Sequence, residues 1–344
     1  MKNATNRILI VAPSWVGDAV LSQPLLARIK AKQPDAQIDV LAPAWVLPMY
    51  RRMPEVADTL ENPFNHGELA LSRRAALGRD LRTRGYAAAY VLPNSLKSAL
   101  VPFFARIPRR VGFVGELRYG LLTDARRLDK DSLPLMVERF AWLAENDAAS
   151  PLPRPVESPA LAVGGDEAAA VFSRLCASRP QRLACFCPGA EYGPAKRWPV
   201  EYFAGLAESL ADEGYQVWLL GSRKDAAIGA QITDAGGAGV RNVCGETSLD
   251  DAIVLLSAAD LVVTNDSGLM HVAAALRRPT VAIYGSSSPQ FTPPLSATAR
   301  VVKLDLPCSP CFRRVCPLGH FNCMMQLPPQ RILQEVHHLT RAHD

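Results

Sequence analysis

The chain lacks any apolar run long enough to cross a bilayer. Its first residues, MKNATNRILIVAP, lack the long hydrophobic region and small-residue cleavage site of a secretory leader. The expectation is therefore a cytoplasmic protein, in which disulfides do not form. A G-x-G-x-x-G fingerprint is missing where the first strand meets its helix, which counts against a nicotinamide-dependent enzyme. There is no internal repeat and no low-complexity tract, so solenoid and disordered classes are set aside. No RNA- or DNA-binding motif accompanies the basic residues, and nucleic acid is not an expected partner.

What the chain does have is length and aliphatic content. It comprises 344 residues, 49% of them hydrophobic, which is enough for two cores. Strand-like and helix-like segments alternate throughout. RILIVA (7–12) reads as a strand, Gly17–Lys32 as one amphipathic helix, Gln37–Leu41 as a strand and Glu68–Arg84 as a helix. Four prolines within Ala148–Val163 mark a linker, after which the alternation restarts with Leu183–Cys187 and ends with a helix from Pro329 to Arg341. The expected divisions are 1–160, 161–326 and a C-terminal helix, 327–344. The alternation predicts an α/β chain with parallel, doubly wound sheets.

The most informative stretch is LVVTNDSGLMHVAAALRRPTVAIYGSSSP, Leu261–Pro289. It reads as strand, turn, helix, strand and loop. A helix starting near Gly268 directs free N–H groups and its positive dipole end above the strand ends, which suits a phosphate. Asp266 is either a helix cap or an acceptor for ribose hydroxyls. Ser267 shares that ambiguity, and His271 lies one turn into the helix.

Four other places carry candidate chemistry. Asp18 follows the first strand, where it is either a first-turn acid favoured by the helix dipole or a general base. Gly189–Pro199 is a glycine-bearing loop whose Lys196 offers a mobile positive charge for a diphosphate. Glu246 follows a short strand and either binds ribose hydroxyls or begins a helix. Cys308, Cys311, Cys316 and Cys323, with His320 nearby, open with a C-x-x-C spacing that resembles half of a zinc site; the other reading is four reduced thiols. Charge is uneven as well. Residues 1–150 hold 21 Lys and Arg against 15 Asp and Glu, and the remainder holds 17 against 18. An anionic partner for the first half is expected, with Arg51, Arg52, Arg109 and Arg110 as candidate contacts.

APSWVGDAVLSQPL (Ala12–Leu25), CPGAEYGPAKRWP (Cys187–Pro199) and TNDSGLMHVAAAL (Thr264–Leu276) together resemble the lipopolysaccharide heptosyltransferases of glycosyltransferase family 9. The motifs span nearly the whole chain in order. The resemblance implies a GT-B fold, in which two Rossmann-like domains face a central cleft. It implies an inverting transfer of L-glycero-D-manno-heptose from ADP-heptose to the first heptose of the inner core. Asp18 would be the base and Lys196 a phosphate contact. Glu246, Asp266, Ser267, Gly268 and His271 would bind the donor. The acceptor would be a lipid A–Kdo–heptose at the inner face of the inner membrane, with the protein peripherally associated there. With no D-x-D cluster beside the diphosphate motifs, no cofactor is expected. The alternatives are another core heptosyltransferase, such as type I, or a sugar-nucleotide epimerase of the same fold.

Overall fold

Near-continuous aliphatic runs such as RILIV, LACFC, LVVTN and TVAI form strands buried on both faces, as parallel sheets require. The computed structural model describes residues 6–341, and its contacts divide the chain into two units between Pro159 and Ala160.

The first unit contains β1 (Arg7–Val11), α1 (Val16–Leu21), α2 (Gln23–Lys32), β2 (Gln37–Ala42), α3 (Leu47–Arg51), β3 (Val56–Glu61) and α4 (Leu71–Arg82). These are followed by β4 (Ala88–Val91), α5 (Leu100–Phe104), β5 (Arg109–Phe113), β6 (Asp124–Arg126) and α6 (Met136–Trp142). Its six strands run parallel in the order β3-β2-β1-β4-β5-β6. The single helix expected over Gly17–Lys32 is two. Pro24 has no N–H to continue the ladder, and the Ser22 hydroxyl donates to the Ala19 carbonyl at the break.

The second unit contains α7 (Glu167–Arg174), β7 (Leu183–Cys187), α8 (Val200–Asp212), β8 (Gln216–Leu219), α9 (Ala226–Gly236), β9 (Val240–Asn242) and α10 (Leu249–Ala258). It continues with β10 (Leu261–Asn265), α11 (Gly268–Ala275), β11 (Thr280–Ile283), β12 (Ala299–Val302), α12 (Asn322–Met325) and α13 (Pro329–Arg341). The strand order is β12-β11-β10-β7-β8-β9, again parallel. Ile332, Val336 and Leu339 follow helical spacing along α13 and are buried in this unit's core with Trp198, Phe203 and Leu206. The final helix is therefore part of the second unit's core. Removing such a buried aromatic typically costs about 3–5 kcal/mol.

In each sheet the chain reverses its direction of winding between two central strands, β1 with β4 and β7 with β10. Loops leaving the carboxyl ends of those strands diverge, which is where doubly wound folds hold ligands.

Candidate active site

Asn265 ends β10 and closes the second unit's switch point. Its side-chain amide donates to the Pro188 carbonyl at 2.8 Å and its side-chain oxygen accepts the Trp198 N–H at 3.0 Å. Both bonds fix the loop that follows β7. At the end of that loop Lys196 Nζ lies 2.6 Å from Asp266 Oδ2, with the lysine 17% and the aspartate 4% exposed. The Ser287 hydroxyl donates to the same carboxylate oxygen, from the loop after β11. Three strand-end loops thus meet at one buried carboxylate. Tyr192 places its ring 5.1 Å from Lys196 Nζ.

Gly268 is the first residue of α11, and Ser267 before it has extended backbone and no side-chain cap bond to the helix. The first N–H groups of α11 therefore remain for a ligand beside the Lys196 ammonium. His271 is buried one turn further on. Burial pushes its pKa down to about 4, opposed by the Asp266 charge and assisted by that of Lys196. At neutral pH it is an uncharged imidazole, unable to contribute a positive charge to a diphosphate.

Gly193 is required by a close approach. A Cβ there would lie 2.4 Å from the Arg314 carbonyl oxygen, closer than any side chain tolerates. Lys196 is in this way held from below by the segment after β12.

In the first unit, α1 begins at the carboxyl end of β1 and carries Asp18, partly buried, in its first turn. Beneath it Tyr50 is fully buried, its hydroxyl 3.1 Å from Ser22 Oγ. Burial raises the Tyr50 pKa, the Ser22 bond opposes this, and the Asp18 charge adds to the rise. Trp15 and Trp45 are about half exposed on this edge, at 49% and 54%, and the Trp45 indole donates to the Ser14 carbonyl.

The profile of glycosyltransferase family 9 (heptosyltransferase) matches residues 74–322. The chain is 50% identical over 341 residues to lipopolysaccharide heptosyltransferase 2 of Salmonella typhimurium, covering 97% of this chain and 98% of that protein. Among solved structures it is similar to E. coli ADP-heptose LPS heptosyltransferase II, with a TM-score of 0.88, 47% identity, and 98% and 99% of the two chains covered. The chain belongs to glycosyltransferase family 9. Its two doubly wound sheets are the GT-B fold, shared with E. coli heptosyltransferase WaaC at a TM-score of 0.73 and 21% identity over 97% and 99% of the chains.

The remaining candidates of this glycosyltransferase are less concentrated. Glu246 is exposed in the turn before α10, where Ser248 and Asp251 form the capping box; it makes no bond with Lys196 or Asp266. Asp266 accepts from both Lys196 and Ser287. The four candidate acceptor arginines are not gathered in one place. Arg109 and Arg110 open β5, at the amino edge of a parallel sheet, opposite the edge that carries Asp18. Arg109 pairs with Asp124 at 3.1 Å, and Arg110 is buried with its guanidinium on the carbonyls of Leu121 and Ile107. Arg51 ends α3 and donates to Thr59, and Arg52 follows two residues after Tyr50, whose hydroxyl feels the Asp18 charge. Charge excess in the sequence did not reveal which arginines were buried. Ser287, Asn265 and Tyr192 went unrecognised; the run of three serines after β11 was the one signal available for Ser287.

No helix among the described residues is long and apolar enough to cross a membrane. The four clustered cysteines carry free thiols.

Proposed function

We propose that this family 9 glycosyltransferase moves L-glycero-D-manno-heptose from ADP-heptose to the first heptose of the lipopolysaccharide inner core, with inversion. The observation that carries the donor half of this reading is the buried Lys196–Asp266 pair beside the N-terminus of α11. A diphosphate placed there meets the ammonium and the free N–H groups of Gly268 and Leu269. As the anomeric C–O bond breaks, the electron pair leaves with the β-phosphate of ADP, and those donors stabilise the growing charge. The acceptor hydroxyl forms the new bond to the anomeric carbon from the opposite face, and Asp18 takes its proton. Asp266 and Ser287 hold Lys196 in place. Glu246 is suited to the ribose, and neutral His271 shapes the pocket under the phosphates. Trp15 and Trp45 offer apolar faces to the acceptor sugars near Asp18. Lys196 and the helix N-terminus supply the positive charge a catalytic metal would otherwise bring, so the transfer is read as independent of any cofactor. The acceptor is a lipid A–Kdo–heptose, reached by peripheral association with the inner face of the inner membrane.

The 50% identity to a heptosyltransferase 2 over nearly the whole chain favours this acceptor. A protein named lipopolysaccharide heptosyltransferase 1, from Pseudomonas aeruginosa, matches over 47% of this chain. The test is a transfer assay with ADP-heptose on two truncated cores, one ending at Kdo and one carrying the first heptose. Transfer to the second alone is expected. Transfer to the Kdo-terminated core would reassign the acceptor, and conversion of the nucleotide sugar without any acceptor would favour an epimerase.

A further inference from the structure

Between β12 and α12 runs the segment PCSPCFRRVCPLGHFNC, Pro307–Cys323, which the transfer scheme does not use. Its four cysteines, Cys308, Cys311, Cys316 and Cys323, line a single cavity together with His320. The cavity has a volume of about 20 Å³, room for one water-sized occupant or one ion. Cys323 lies at the start of α12 and borders the cavity with the other three cysteines.

The wall of the cavity also offers hydrogen-bond donors. The backbone N–H groups of Phe321, Leu318, Gly319 and His320 point to the Cys316 sulfur. That arrangement follows from the turn after Cys316, closed by a bond from the Gly319 N–H to the Cys316 carbonyl, with Gly319 at φ 72°. Hydrogen bonds of this kind orient and stabilise thiolate ligands. A separate observation comes from another loop. Ser286 is 1% exposed, borders the same cavity, and its hydroxyl has no hydrogen-bond partner among the described residues. It is available to donate to an anionic sulfur. His320 is less suited as a ligand through Nδ1, which accepts the Asn322 N–H at 3.0 Å.

Among the described residues no three His, Cys, Asp or Glu side chains are already drawn together as a ligand set. The thiols border the cavity without converging on its centre. Four like charges in so small a space repel one another, and a divalent cation removes that repulsion.

The segment also bears on the candidate active site. Ala195 donates to the Arg314 carbonyl at 3.0 Å, the Tyr192 hydroxyl donates to the Phe312 carbonyl at 2.8 Å, and Phe312 donates to the Ser286 carbonyl at 2.6 Å. The loops bearing Lys196 and Ser287 both rest on it. Phe312 and Phe321 have left-handed backbones, at φ 53° and 50°, conformations that persist only where surrounding contacts enforce them.

We propose that Cys308, Cys311, Cys316 and Cys323 bind one zinc ion as four thiolates, and that this ion braces the loop carrying Lys196. Four S–Zn bonds form, four thiol protons pass to solvent, and no electron is transferred. Four sulfur ligands in a closed tetrahedral site suit a structural, redox-inert zinc. The bracing clause rests on the donor-site reading above; the zinc site does not.

The experiment measures zinc in the full chain, purified without chelator, by plasma mass spectrometry. About one zinc per chain is expected, retained in Cys176→Ser, whose thiol is exposed and outside the segment, and reduced at least tenfold in Cys311→Ser and Cys316→Ser. Should those variants fail to fold, wild-type protein stripped of metal and titrated with cobalt(II) reports the same site through its thiolate absorption. Folded, reduced protein that takes up neither zinc nor cobalt overturns the proposal, as does an intact mass showing the four thiols paired as disulfides. If zinc binds stoichiometrically but its removal leaves the ADP-heptose KM unchanged while transfer persists, the bracing clause fails and the zinc site stands. If zinc binds and no transfer occurs in any form, the functional reading is at fault instead.

Discussion

The carboxyl edges of the two sheets can be compared position by position, because each sheet reverses between its two central strands. In the second unit that edge holds Lys196 and Asp266, buried and paired, with Ser287 on the same carboxylate. In the first unit the edge presents Asp18 with the exposed indoles of Trp15 and Trp45. The first unit's positive excess lies elsewhere. Arg28, Arg74, Arg110, Arg118 and Arg126 are all buried, and Arg118 spends its guanidinium on the carbonyls of Phe113, Pro93 and Ser95. A surplus of basic residues in a sequence is thus a poor guide to a positive surface. In the first unit much of it stitches loops together. The second unit is nearly neutral and yet places Lys196 beside a helix N-terminus.

The comparison breaks most severely at Asp18. If the first unit supplies the base and the second holds the donor, Asp18→Asn should lower kcat by about 10²–10⁴. ADP-heptose binding, measured by calorimetry, should be unchanged. Wild-type-like turnover in that variant would remove the base from this edge altogether.

Lys196→Ala should cost about 10²–10³ in kcat/KM, since it deletes a donor aimed at the leaving phosphate. It also leaves Asp266 buried without its counter-charge, a loss of about 3–5 kcal/mol in comparable pairs. The double variant Lys196→Met with Asp266→Asn separates these effects. Stability to urea should recover while activity stays low. Recovery of both would make the pair a structural feature only.

Arg118→Met sharpens the other side of the comparison. It strands three carbonyls, two in the loop after β4 and one at the end of β5, each worth about 1–3 kcal/mol when left unsatisfied. Unfolding free energy should fall by about 3 kcal/mol, read from chemical denaturation. Neutralising Arg51 alone, which is exposed and donates to Thr59, should change the acceptor KM by less than about twofold, because an exposed charge is screened at physiological salt. A large rise in acceptor KM, relieved by salt, would restore it as an acceptor contact.

Much of this architecture was legible in the chain. β7 and α13 match the sequence reading residue for residue, and the β10–α11–β11 unit matches within one residue at each boundary, because long apolar runs end at Gly, Ser or Pro. β3, β6 and β12 were not read. β6 is DAR, two charges around one alanine, and becomes a strand only by pairing with β5. β3 is VADTLE, an outer strand with no fully buried position. The sequence also reads as a helix over Leu133–Ala148, of which the structure keeps Met136–Trp142. At the site, Lys196 and Asp266 were each picked out, but their contact across 70 residues follows from strand order, which spacing does not encode. For the arginines the limit was different: a helix or strand assignment says nothing of which edge of the sheet a residue occupies.

The last expected effect concerns His271. Burial holds its pKa near 4 in the folded chain, below the ordinary value of 6.5 that it regains on unfolding. The folded state therefore favours the neutral ring. Above pH 6.5 neither state binds the proton and the preference costs nothing. As pH falls from 6.5 toward 4 the unfolded chain takes up a proton that the folded chain refuses, and stability declines by up to about 1.4 kcal/mol per pH unit. Below pH 4 both states are protonated and this contribution levels off. Asp266 and Lys196 act on the ring in opposite directions, so the charge of their pair leaves the direction set by burial. Replacing His271 with Asn keeps a polar group of similar reach and removes the titration. Chemical denaturation at half-unit steps between pH 7 and 4.5 should then show a shallower acid limb in the variant, by about one proton's worth of slope. Parallel limbs in the two proteins would mean that His271 titrates normally when folded, and that the turn above it is open to water.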